Sequence, residues 1–115
     1  GVDFGIVPCQ VNPFTQCTVA NKFFDYAACG RPFVFTATRP TERLMKTMRC
    51  GISYAGGDPE AVAAAIARIV EADYDAMARN GLDAVRDEFN WTRDTDRMLA
   101  FLDRIADAGR GHPPA

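Results

Sequence analysis

Thr18, Asn21, Lys22 and Asp25 follow one another at intervals of three, one and three residues, the spacing that puts side chains on one face of an α-helix. Together they present a hydroxyl, a carboxamide, an ammonium and a carboxylate. The plainest chemistry for such a stripe is a solvated face with a Lys22–Asp25 pair worth roughly 0.2–0.5 kcal/mol. The alternative is a binding surface. The first amides of a helix lack intrahelical acceptors and sit at the positive end of its dipole, so they attract phosphate, and Lys22 in the first turn adds a full positive charge. Asp25, a turn further along, can only accept hydrogen bonds. It suits two adjacent hydroxyls, as on a ribose, at roughly 1.5–3 kcal/mol for each charge-assisted bond. Spacing alone favours the solvated face; the position of the helix in the chain favours the binding surface.

That position follows from the order of the elements. "DFGIVPC", residues 3–9, is a short apolar run bounded by Asp3 and Pro8 and reads as a buried strand. A loop with the turn-favouring pair Asn12-Pro13 leads to a helix that starts near Thr18 or Val19, with Val19, Phe23, Tyr26, Ala27 and Gly30 facing a core. Gly30 can take the left-handed conformation that closes a helix, and Pro32 prevents its continuation, so "FVFTAT" emerges as a second strand. "TERLMKTMRC" and "ISYA" repeat the alternation, which calls for a parallel sheet with right-handed crossovers. Asp58-Pro59-Glu60 is a helix-start signal. Behind it run "EAVAAAIARIVEA", "YDAMARNGLDAVRDEF" and, after an Asn90 cap, "WTRDTDRMLAFLDRIADA", with Trp91, Met98, Leu99, Leu102 and Ile105 as an apolar stripe.

The expected fold class is α/β: a partial Rossmann-like parallel sheet of about three strands, with helices on both faces and a C-terminal helical extension. Three strands are few for a sheet covered on both faces. The chain therefore reads as the second half of a doubly wound domain over residues 1–108, followed by a disordered tail over 109–115. In open α/β sheets ligands bind beyond the carboxyl ends of the strands, where the helix after the first strand begins.

Composition limits the alternatives. The 115 residues, 48% hydrophobic and 24% charged, fit a single folded domain. A net charge of −2, with cations scattered among acids, argues against nucleic acid. No apolar run approaches the roughly 20 residues that cross a bilayer, and "GVDFGIVPC" lacks the basic start of a signal peptide, so the chain reads as cytoplasmic. Cys9, Cys17, Cys29 and Cys50 form no C-x-x-C pair and are expected as reduced, mostly packed thiols.

The quoted motifs also carry a resemblance. "DFGIVPC", "NKFFDYAACGRPFVF", "GISYAGGDPEAVAAAIARIV" and "DEFNWTRDTDRMLAFL" follow one another through residues 2–105. The series resembles the carboxyl-terminal half of a retaining GT-B glycosyltransferase, of the group that includes sucrose-synthase-like and lipopolysaccharide mannosyl- or glucosyltransferases. There the run reads P-N-K-x-F-E-Y-x-A-x-G-x-P-V-V and is followed by a G-D-P-E-A-L helix start and an F-x-W before the last helix. Several linked motifs are more specific than any one of them.

The resemblance implies a nucleotide diphosphate sugar as donor substrate, no metal and no cofactor. It also implies an amino-terminal domain of the same chain as partner, peripheral membrane association of the full protein, and transfer with retention to a glycan, lipid or small-molecule acceptor. Thr18, Val19 and neighbouring amides would meet the diphosphate, Asn21 and Lys22 match the motif pair beside it, and Asp25 stands where the family holds the ribose hydroxyls. Lys22 is the one candidate stabiliser of the leaving group, and this piece would be inactive without the rest. Two departures stand out: Cys17 and Asp25 occupy the positions of a glutamate pair seven residues apart.

Other signals carry less. Asp94 and Asp96, two apart on a helix, point to nearly opposite sides and cannot share a metal ion. His112 lies in a Pro-rich tail without a rigid shell, Gly56-Gly57 is a turn before Asp58, Arg31 and Arg39 flank a strand as solvated charges, and Glu42 is assigned no role. The competing functions are a non-catalytic module that self-associates through its exposed sheet edge and part of a sugar-nucleotide epimerase.

Overall fold

The computed structural model describes residues 1–111. The elements run β1 (Gly5–Val7), α1 (Asn21–Ala28), β2 (Phe33–Thr36), α2 (Arg39–Met48), β3 (Gly51–Tyr54), α3 (Pro59–Glu71), α4 (Tyr74–Asp87) and α5 (Trp91–Arg110). The strands form one parallel sheet in the order β1-β2-β3, with Val34 opposite Ile6 on one side and Ile52 on the other. This is the expected α/β, Rossmann-like fragment.

Alternation along β2 sends side chains to two cores. Phe33 and Phe35 join Val7, Phe23, Ala27, Met48 and Cys50, drawn from β1, α1 and the end of α2, while Val34 joins Tyr54, Ala65 and Ile69 under α3. Phe23 is fully buried, with its ring edge-on to Phe33 at 4.7 Å and to Phe35 at 5.1 Å, a geometry that adds to the area term. Burial of Phe23, Ala27 and Gly30, and partial burial of Val19 and Tyr26, follow the apolar face read from the sequence.

Two glycines set α1 on the sheet. Gly30 has φ 63°, and a Cβ there would lie 3.2 Å from the Leu82 side chain of α4; the backbone turns through it with the amides of Gly30 and Arg31 bonded to Ala27 O and Tyr26 O. At Gly5 a Cβ would fall 2.5 Å from the Tyr26 ring, so only glycine lets α1 lie this close over β1.

Three expectations need correction. The helix begins at Asn21, not at Thr18 or Val19: Ala20 is extended (φ −68°, ψ 142°), and the preceding chain is tied in its own turns by Gln16 N–H to Asn12 O and Cys17 N–H to Phe14 O. Thr18 therefore stands before the helix, and the one-face stripe is split. Secondly, Cys9, Cys17 and Cys29 are exposed and only Cys50 is buried, because the first two ride the loop after β1 and the third is the C-cap of α1. Thirdly, Gly109 and Arg110 are helical. His112 and the rest of the tail lie outside the described residues.

The α5 helix leaves the body, and the molecule with it measures 62 × 30 × 20 Å. None of its residues is buried, and Trp91 is 86% exposed; the Met98, Leu99, Leu102 and Ile105 side chains are about half exposed and covered by none of the described residues. Asp94 pairs with Arg97 at 3.1 Å on this exposed surface. Among the described residues no helix is long and apolar enough to cross a membrane.

Candidate functional site

A cleft of about 410 Å³ opens beyond the carboxyl ends of β1 and β2. The residues following β1 (Pro8, Cys9), the loop to α1 (Phe14, Thr15, Thr18, Val19, Ala20, Asn21) and the start of α2 (Thr38, Thr41) surround it, with Val7 and Thr36 closing the floor. Among the described residues no charged side chain lines it.

Two helices begin at this cleft, and their first turns differ. At α2, Thr38 and Thr41 form a reciprocal cap: Thr38 Oγ1 accepts from the Thr41 amide, and the Thr38 amide donates to Thr41 Oγ1 at 2.9 Å. Pro40 has no amide hydrogen, Arg39 N–H donates to Gln16 Oε1 at 2.9 Å, and Glu42 N–H donates to Thr38 O at 3.0 Å, so the α2 terminus is satisfied by its own cap and by the Gln16 side chain. The hydroxyl of Thr36 is likewise engaged, accepting the Cys9 amide at 3.0 Å, and Thr41 Oγ1 donates within 3.2 Å of the Thr36 and Thr38 carbonyls. The threonine floor thus serves the fold.

The α1 terminus is the reverse case. Its N-cap is Ala20, which has no side chain able to cap, whereas α3, α4 and α5 begin on Asp58, Asp73 and Asn90, each of which accepts first-turn amides. Among the described residues, the amides of Thr18, Val19, Ala20, Asn21 and Lys22 find no acceptor in the protein. The next amide, Phe23 N–H, donates to Ala20 O at 3.1 Å. A run of open donors at the positive end of a helix, walled by neutral residues, can hold an anion.

Of the residues singled out by type and spacing, Thr18, Val19 and Asn21 line the cleft. Lys22 and Asp25 are exposed on α1 outside the lining and make no ion pair among the described residues. The weak i,i+3 pairing expected from spacing is therefore absent, and both side chains are free to turn toward a ligand. Cys17, also exposed, is not part of the lining. Sequence reading missed Phe14, whose ring is 73% exposed at the cleft, and the threonines of the floor. The Thr38-x-x-Thr41 spacing with Pro40 in the first turn was the available signal for the latter. No three His, Cys, Asp or Glu side chains converge among the described residues.

Comparison with known proteins gives a fold likeness. No family model matches the chain, and no curated protein matches it. Among solved structures, sucrose-phosphate synthase from Thermosynechococcus elongatus matches with a TM-score of 0.66 and 24% identity over 78% of this chain. The chain spans 23% of that structure's length. The cleft and its open helix terminus thus sit on an α/β fold that resembles part of that synthase.

Proposed function

We propose that this chain is the donor-binding part of a glycosyltransferase that moves a sugar, with retention, from a nucleotide diphosphate sugar to a glycan, lipid or small-molecule acceptor. The observation that carries the reading is the run of amides from Thr18 to Lys22, unpaired among the described residues, the first four of whose residues line a neutral cleft at the strand ends. In this reading the diphosphate accepts from those amides, Lys22 swings its ammonium onto it, and Asp25 accepts from the ribose hydroxyls. As the bond from the sugar's anomeric carbon to the phosphate oxygen breaks, that oxygen takes the electron pair. Fixed amides and a cation stabilise this charge more than that of the ground state. The other wall of the donor site and the acceptor would belong to a further domain of a longer chain, with residues 1–108 as the second half of the nucleotide-sugar domain. The fold likeness to a synthase of which this chain matches only 23% supports that division.

Titration with uridine or guanosine diphosphate tests the reading. Amide resonances of Thr18–Lys22 are expected to shift, and Asp25→Ala and Lys22→Ala to weaken the effect roughly tenfold each, as for loss of a charged hydrogen bond. Unmoved resonances at millimolar ligand would end the proposal.

A second reading, a non-catalytic interaction module, draws on the half-exposed apolar row of α5. It predicts an apparent mass that falls on dilution while the diphosphates change nothing.

A further inference from the structure

We infer that Gln16 is a positioning residue for the cleft, a latch that holds the amide-bearing loop against α2. The inference rests on the proposed anion site for its functional meaning, and on geometry for its structural one.

Residues 8–20 form a long connection between β1 and α1 with no regular structure. Most of its hydrogen bonds are internal. Asn12 N–H donates to Thr15 Oγ1 at 2.9 Å, Thr15 N–H donates to Asn12 Oδ1 at 3.0 Å, and the Thr15 hydroxyl donates to Gln10 O at 2.7 Å. Phe14 O accepts from the Cys17 amide and, at 3.4 Å, from the Thr18 hydroxyl. These bonds shape the loop but do not say where it sits.

Apart from Ala20 O, which accepts Phe23 N–H where the loop runs into α1, it is bonded among the described residues to the rest of the fold at two places. Cys9 N–H donates to Thr36 Oγ1 at the start of the loop, and Gln16 Oε1 accepts from Arg39 N–H further on. Of these two long-range ties, only the second lies next to the donor run. Its anchor is firm, because Arg39 follows Thr38, whose side chain and backbone are both held in the α2 cap. One bond thus satisfies the first orphan amide of α2 and carries the position of α2 to Cys17 and the amides beyond it. Preorganised donors bind an anion without the entropy cost of ordering a loop, so the latch decides how much of the donors' strength reaches a ligand.

The test compares Gln16→Met, nearly isosteric but without a strong acceptor, with Gln16→Glu, which keeps one. In the ligand-free chain, heteronuclear NOE values of the Thr18–Ala20 amides are expected near those of the helices in the wild type and in Gln16→Glu, and lowered in Gln16→Met, with α3 and α4 unchanged in all three. Uridine or guanosine diphosphate should then bind Gln16→Met roughly three- to tenfold more weakly, the span of one net hydrogen bond. Unchanged loop values in Gln16→Met would overturn the latch, as would a loosened loop that binds the diphosphates with wild-type affinity. A loosened loop in Gln16→Met, combined with a wild type that binds neither diphosphate, would uphold the latch and remove the anion site, so the two readings fail separately.

Discussion

Substituting Ala20, the N-cap of α1, by aspartate should make the protein more stable and a poorer binder at once. The backbone there is already extended, as an N-cap requires, and the amides of Asn21 and Lys22 have no acceptor. An aspartate carboxylate would supply one. Replacing alanine by a good N-cap is worth typically about 1 kcal/mol, and the favourable charge at the positive end of the helix adds about 0.3–1 kcal/mol. For a domain of this size about 1 kcal/mol raises Tm by roughly 4 °C. The same carboxylate occupies the donors and repels a phosphate about 5 Å away by about 1–3 kcal/mol, for effective dielectrics between water and about 20. That is a loss of roughly 5- to 200-fold in affinity. Thermal unfolding followed by circular dichroism gives the first quantity and isothermal titration with uridine or guanosine diphosphate the second. Ala20→Ser, which caps without charge, should gain stability and lose less affinity. An Ala20→Asp protein that binds as tightly as the wild type, or that melts earlier, would refute the claim that α1 is held open for an anion.

Three further predictions concern the core and its cysteine. Phe23→Ala removes a fully buried ring stacked edge-on to Phe33 and Phe35; a loss of about 3–5 kcal/mol in urea denaturation is expected, and one below about 1 kcal/mol would show that α1 does not close this core. Burial pushes the Cys50 thiol from 9.0 up to about 12, so its stabilising effect is complete below pH 9 and fades as pH rises toward 12. Cys50→Ala should therefore lose less Tm between pH 9 and 11 than the wild type does. At pH 8 a disulfide reagent should modify Cys9, Cys17 and Cys29 in the folded chain and reach Cys50 only after denaturation; rapid labelling of Cys50 in the native chain would contradict its placement.

Much of the architecture was legible from local signals because those signals act locally. Gly30 and Pro32 end α1 through backbone conformation, Asp58 and Asn90 start α3 and α5 through first-turn hydrogen bonds, and the apolar run of β2 is buried on both faces, whereas in β1, expected as a buried strand, Ile6 faces outward at the sheet edge. The start of α1 was not legible. Thr18 and Asn21 are at helical spacing, but the bonds within residues 12–18 and the tie from Gln16 to α2 draw the chain into a loop before the helix can begin, and that tie joins positions 23 residues apart.

The sequence by itself determined the order of the strands and helices, the parallel sheet they imply, and the residues of α1 that face the core, since periodicity and capping depend on near neighbours. Only the tertiary structure decided which helix terminus stays open. That is settled by which amides other parts of the chain reach: the α2 cap and Gln16 satisfy one terminus at the cleft, and nothing among the described residues satisfies the other. It likewise decided that the apolar row of α5 faces outward, because amphipathic spacing says that a face will be covered but not by what.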